Sequence, residues 1–313
     1  MASFHIYTCA RSSDVNILER NLRRSPAIAN GDIDLTVLWN RPSAASAYAN
    51  AIKTASAEIL VFAHCDVYFP DHWFERLDWE VDRLTRLDAR WAVAGISGVA
   101  PDGEVVGRTW DCSLAPWFPE TAGLYGKELK RPVPIVSLDE MVIVVRREAG
   151  VSFDPLLPEF HLYGTDIALE ARRLGKSCYG LDMPLIHNAK AQLRLGPDYI
   201  RSYRYMVRKW RDRLPVPTTC GLLTQNPFVL PMRRLRIRYK AIFRTSTYST
   251  QRLSDPSVKA RELGMDRLLA APMENSSAHD VRGGSRAEVG PSSASKTPEE
   301  SNQRQMPSTG LFR

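Results

Sequence analysis

The sequence predicts an α/β fold, a mixed and mostly parallel sheet flanked by helices. Three observations predict it. Apolar runs of strand length alternate with helix-length amphipathic stretches through the first half of the chain, the pattern of right-handed crossover units. The central run, Ile59–Ala63, has little polar alternation, as a strand buried on both faces requires. The hydrophobic fraction, 44% of 313 residues, suffices for a proper core.

Taken in order, Phe4–Cys9 reads as the first strand. Ser13 or Asp14 can then cap a helix over Val15–Leu22. Asp34–Trp39 is the second strand, broken by Asn40-Arg41-Pro42. Ser43 starts a helix whose Ala47, Ala51 and Ala55 allow close packing on a sheet. After Ile59–Ala63, the segment Asp71–Leu87 is a long helix with Trp73, Phe74, Leu77, Val81 and Leu84 on one face. Trp91–Val99 is a further strand, and Pro101-Asp102-Gly103 a turn. Trp110–Arg131, rich in Trp, Pro and Gly, reads as a long binding loop. An apolar run over Pro134–Arg147 surrounds Asp139 and Glu140. Tyr163-Gly164-Thr165-Asp166 leads into a helix ended by Gly175. Ser177–His187 is a final strand, and Pro197–Leu214 a basic helix. From Thr245 onward Ser, Thr, Pro, Gly and charge dominate, which reads as a disordered tail, with a short helix near Val258–Leu269. The expected divisions are 1–195, 196–244 and 245–313.

The first three strands carry Arg11, Asn40 and Asp66 at or just beyond their C-terminal ends. In a parallel-type sheet those ends share one edge, where ligands of open α/β sheets bind. A cation, an amide and a carboxylate should therefore converge there. Asp66 is a metal or diphosphate candidate, or a turn residue closing its strand. Asp166, at a helix start, is a general base or a capping aspartate. Adjacent acids at Asp139 and Glu140 between apolar runs are catalytic candidates: they can contact ligand hydroxyls, hold the base role in place of Asp166, or belong to a loop.

The net charge of +7 points to an anionic partner or to a basic soluble surface. Arg201, Arg204, Arg208, Lys209 and Arg211 stud one helix, and Arg233, Arg234, Arg236, Arg238 and Lys240 follow. A solvated face, an anionic membrane surface met through residues 201–244, and nucleic acid all fit this pattern. The five cysteines are widely spaced with no CxxC, which argues against a disulfide framework or a structural zinc site and for a reducing, cytoplasmic setting. The opening MASFHIYTCARSSD has no basic region followed by an apolar core, so no signal peptide is expected.

Four motifs in order carry a resemblance. They are His64-Cys65-Asp66-Val67-Tyr68-Phe69, with Ser46 and Asn50 upstream; Leu138-Asp139-Glu140; Phe160–Gly175 with its Tyr-Gly-Thr-Asp; and Ile186-His187-Asn188. From about Phe4 to Asn188 the chain resembles the glycosyltransferase family 2-like proteins of the GT-A (Rossmann-like) fold, in a bacterial subgroup with H-x-D-V-Y-F. His64 stands where the first acid of the common Asp-x-Asp motif would be, and Thr165 replaces a usual Glu. The resemblance implies transfer of a sugar from a nucleoside diphosphate donor to a hydroxyl of a glycan or lipid-linked acceptor, with inversion. It implies donor binding by Arg11, Asn40, Asn50 and Asp66. It implies Mg2+ or Mn2+ held by Asp66, His64 and His187, and Asp166 as the base. His161, Tyr163 and Trp117 would line the acceptor side. The expected location is then the cytoplasm, with a peripheral place at the inner face of a membrane as an option, and nucleic acid is not an expected partner. Two alternatives stay open: a basic nucleic-acid-associated binding protein, and a nucleotide-sugar-binding domain without turnover.

Overall fold

The computed structural model describes residues 2–114, 122–191, 194–243, 249 and 251–270. Trp117 lies outside the described residues, as does everything after Ala270.

Seven strands form the central sheet: β1 (Phe4–Ala10), β2 (Asp34–Trp39), β3 (Ile59–Ala63), β4 (Trp91–Gly95), β5 (Val133–Pro134), β6 (Val142–Arg146) and β7 (Ser177–Gly180). Their order is β5-β7-β4-β6-β3-β1-β2. β2, β1 and β3 are parallel, as are β7 and β4, while β6 runs antiparallel between β3 and β4. Five of the seven strands point the same way, with β6 and the short edge strand β5 reversed, so the sheet is mixed and mostly parallel in strand direction, as the sequence predicts. Every residue of β3 and β4 is buried, which explains their unbroken apolar character.

The helices named here are α1 (Val15–Arg20), α2 (Ala44–Thr54), α3 (Trp73–Leu87), α4 (Tyr163–Arg173), α5 (Pro197–Lys209), α6 (Val229–Phe243), α7 (Pro256–Glu262) and α8 (Met265–Ala270). One face of the sheet packs on α2 and α4, where Tyr48, Phe62, Phe153 and Tyr163 form an aromatic group. The other face packs on α3 through Trp73, Leu77 and Leu84, all fully buried. Each such side chain contributes about 1.5–3 kcal/mol.

Two strand assignments divide. Ser177–His187 is two strands in different sheets, because Leu181–Leu185 leaves the central sheet and Pro184 offers no N–H to a ladder. Trp91–Val99 likewise breaks after Gly95, and Gly98–Val99 joins a separate three-stranded sheet.

The tail assignment is corrected too. Residues 251–270 include α7 and α8, and Leu253, Ala260, Met265 and Leu269 are buried. The segment packs on Tyr68, Cys112 and Ile186. The surface it covers comes from distant sequence. The helix expected near Val258–Leu269 is present as α7 and α8; its docking is what a local reading misses.

Candidate active site

The C-terminal edge of β1, β2 and β3 forms the floor of the site, with Asn40 N–H bonding to the Ala10 carbonyl at 2.9 Å. Because β6 is antiparallel to β3 and Val142 pairs with Ala63, the residues just before β6 arrive at the same edge. This topology brings Asp139 and Glu140 beside His64, whose N–H bonds to the Met141 carbonyl at 3.0 Å.

A second, four-stranded sheet completes the cluster. Val67–Tyr68 pairs antiparallel with Ile186–His187, which in turn pairs parallel with Thr109–Asp111. His187 therefore sits opposite both Val67 and Asp111. Its Nε2 lies 3.4 Å from Asp66 Oδ1, and its Nδ1 lies 3.0 Å from Asp111 Oδ2. His64 Nδ1 lies 4.0 Å from Asp66 Oδ1. One ligand atom each from His64, Asp66 and His187 falls within 4.8 Å of the others.

The electrostatics follow from these contacts. Burial opposes ionisation of Asp66, but His187, His64 and Arg252 outweigh it and hold the carboxyl far below its ordinary value. Burial likewise opposes a charged His187, yet Asp111 and Asp66 hold its pKa well above the usual imidazole value. For His64 burial wins and the pKa falls, with Asp66 pulling the other way. The two imidazoles are thus shifted in opposite directions, and His187 must give up its Nε2 proton for that nitrogen to ligate a cation.

The donor set fits a divalent cation. Two imidazoles and a carboxylate offer three ligand atoms to one ion. Asp111 behind His187 is the carboxylate partner that orients a ligating imidazole. Arg252 also reaches the cluster: its Nη1 donates to Asp66 Oδ2 at 2.8 Å and bonds to the Asn188 carbonyl. Buried Asn188 anchors the segment, donating to Leu253 O at 3.1 Å and accepting from Leu253 N at 2.7 Å.

Glu140 lies at the mouth of α4. Gly164 there packs so tightly that an added Cβ would stand 2.8 Å from Leu138 O and 2.9 Å from Asp139 O. Burial and the neighbouring Asp139 push the Glu140 carboxyl up to about 8, against backbone amides of Glu140, Gly164 and Leu162. Asp139 itself is held, accepting from Met141 N at 3.0 Å and Thr219 Oγ1 at 2.8 Å.

Several expected site residues take other roles. Asp166 is 1% exposed and accepts from Lys209 Nζ at 2.8 and 2.9 Å and from Trp210 Nε1 at 2.7 Å. Both its oxygens are engaged beneath α5, and it makes no capping bond at the start of α4. Tyr163 is buried, donating to Glu140 O at 3.2 Å and lying 3.1 Å from His64 Nε2, so it braces the site from below and does not line an acceptor surface. Asn40, at φ 50°, exchanges bonds with Ser12, donating to Oγ at 2.8 Å and accepting from N at 3.0 Å. It ties two rim loops together. Arg11 is exposed at the rim, its guanidinium 5.9 Å from the centre of the Phe160 ring. Asn50 is exposed nearly two turns down α2 from the rim end and joins none of the contacts of the described cluster. His161 pairs with Asp198 at 3.2 Å.

Sequence reasoning passes over Asp111, Arg252, Lys209 and Trp210. Asp111 lies in a stretch read as loop, Arg252 in a stretch read as tail, and Lys209 among residues read as a basic face. Only the pairing of distant strands, the packing of α5 over Asp166 and the docking of 251–270 reveal them.

No family model matches the chain. A curated protein of Fuscovulum blasticum, described as ATP synthase subunits region ORF 6, is 28% identical over 159 residues, which is 50% of this chain and 61% of that protein. The match thus spans less than two thirds of the relative's length. Among solved structures the chain is similar to GalNAc-T7 with UDP, GalNAc and Mn2+, at TM-score 0.46 and 13% identity over 68% of this chain and 49% of that one. It is also similar to the mannosyltransferase PcManGT of Pyrobaculum calidifontis in complex with GDP-Man and Mn2+, at TM-score 0.43 and 12% identity over 87% of this chain and 81% of that one. At these scores the likeness assigns no role to any residue of this chain.

Proposed function

We propose that this protein is a GT-A-type glycosyltransferase of family 2 character, moving a sugar from a nucleoside diphosphate to a hydroxyl acceptor with inversion. The observation that carries the reading is the His64, Asp66 and His187 cluster at the strand edge, with a high-pKa glutamate on the same edge.

In this reading His64, Asp66 and His187 hold a divalent cation. When bound, the cation supplies positive charge against the departing diphosphate. Asp111 fixes the ring of His187, and Tyr163 fixes that of His64. Arg252, paired with Asp66 at 2.8 Å, is placed to exchange that carboxylate for a phosphate oxygen. Arg11 offers a second guanidinium at the rim. Glu140 takes the acceptor proton at a carboxylate oxygen while the acceptor oxygen attacks the anomeric carbon from the face opposite the diphosphate. A carboxylate with a pKa near 8 is better matched to a hydroxyl than an ordinary one. Asp166 keeps α4 and α5 together and stays out of the proton transfer.

The test is thermal stabilisation by UDP and GDP with and without Mn2+, followed by transfer from a panel of radiolabelled nucleotide sugars. Cation-dependent stabilisation and labelled product support the reading. Absence of stabilisation by either diphosphate overturns it. Stabilisation without transfer to any acceptor favours a domain that binds the donor without turnover.

A further inference from the structure

Helix α6 presents an apolar stripe to solvent. Phe228 is 72% exposed, Met232 70%, Leu235 69% and Tyr239 58%. Phe228 belongs to the helical turn, since Met232 N–H bonds to its carbonyl at 3.1 Å. The spacing of four, three and four residues places all four side chains within a stripe roughly 60° wide. The opposite side, with Val229, Leu230, Arg233 and Ile237 half-buried, faces the protein, and Leu230 packs against the main core. The stripe is thus the outward side of a helix that is already seated.

Charge flanks the stripe. Arg236 falls on one side of it on the helical wheel, and Arg234 and Arg238 on the other, all exposed. Residues 213–254 contain eight Arg or Lys and no Asp or Glu. Arginines beside an apolar stripe can bury their stems and keep their heads at a charged boundary. No described helix is long and apolar enough to cross a membrane, and α6 has 15 residues, so it would lie along a surface.

We infer that α6 is an in-plane membrane anchor, inserting Phe228, Met232, Leu235 and Tyr239 into the interface of an anionic bilayer while Arg234, Arg236 and Arg238 engage lipid phosphates. The charge complementarity selects an anionic lipid surface over a neutral one. The inference is independent of the transfer reaction, because it concerns a surface that binds with no donor present.

The experiment is vesicle co-sedimentation of the full chain without nucleotide sugar. The vesicles are phosphatidylcholine alone or phosphatidylcholine with phosphatidylglycerol. The expected result is binding to the anionic vesicles, weakened by salt. The Met232→Ser/Leu235→Ser pair should lose roughly tenfold in partitioning. The Arg234→Gln/Arg236→Gln/Arg238→Gln triple should lose roughly a hundredfold, at about fivefold per arginine. These residues are exposed, so unchanged melting curves would show that both variants remain folded. Failure of the wild type to bind anionic vesicles overturns the inference. So does full binding by the Met232→Ser/Leu235→Ser pair, which would mean attraction without insertion. Sedimentation velocity showing a dimer that the same pair dissolves would assign the stripe to a second copy. Retention of a single-stranded RNA probe as tightly as the vesicles, lost in the arginine triple, would assign the charge to nucleic acid. Either result overturns the membrane assignment.

Discussion

Arg252 Nη1 lies 2.8 Å from Asp66 Oδ2, joining a residue after the basic helices to the strand-edge carboxylate. The same carboxylate carries the candidate metal ligand atom. A guanidinium and a divalent cation therefore draw on one charge. Arg252→Ala should raise Mn2+ affinity measured by electron paramagnetic resonance without nucleotide, by about tenfold, the worth of one charge-assisted hydrogen bond. It should lower affinity for the nucleoside diphosphate, measured separately by calorimetry. Unchanged Mn2+ affinity would show that the arginine and the metal do not share Asp66.

The cluster also depends on Asp111, which holds His187 Nδ1 at 3.0 Å. Asp111→Asn should reduce Mn2+ affinity by roughly 10–100-fold, the usual cost of removing a carboxylate behind a ligating histidine. Asp66→Ala should remove binding altogether. If Asp111→Asn binds Mn2+ as the wild type does, His187 is a structural histidine and the ligand set is wrong.

How far the sequence exposes this site depends on where its partners lie. β2 and β3 begin and end where the sequence places them, because each apolar run stops at a polar or turn residue. Asp66, His64 and His187 come together because the motifs lie on strand ends that converge. Asp166 looks catalytic in sequence, since nothing near it betrays that Lys209 and Trp210 fold over it from 43 and 44 residues away. Arg252 stands 186 residues from its partner, in a stretch read as the start of the tail.

That stretch should matter to stability. Truncating the chain after Phe243 removes buried Leu253, Ala260, Met265 and Leu269 and uncovers Tyr68, Cys112 and Ile186. Each large apolar side chain lost forfeits about 1.5–3 kcal/mol, offset in part by the entropy of ordering the segment. A net loss of a few kcal/mol should appear as a lower urea midpoint. A truncated chain as stable as the full one would mean that residues 251–270 do not dock in solution.

Asp166→Asn should act on stability before activity. The substitution keeps one acceptor for Trp210 but removes the charge facing Lys209, which retains Asp154 at 2.8 Å. Breaking a buried pair with one partner still compensated should cost about 3 kcal/mol. The folded fraction should bind donor and turn over near the wild-type rate. A stable, folded Asp166→Asn protein without transfer activity would return the base to Asp166.

Glu140 carries the opposite expectation. Glu140→Gln should leave donor binding intact and lower single-turnover transfer by roughly 10²-fold or more. Only the ionised carboxylate can accept a proton, so wild-type transfer should rise with pH and level off above about 8. Stability should run the other way. The folded pKa of about 8 exceeds the ordinary 4.5, so the folded state holds a proton that the unfolded chain has released between those values. Stability therefore falls as pH rises from 4.5 through 8, then stops falling. Glu140→Gln, which cannot ionise, should flatten both profiles together. A rate profile that keeps its rise near pH 8 in Glu140→Gln, with the stability profile flattened, would place the titrating base elsewhere while confirming that Glu140 is the buried acid.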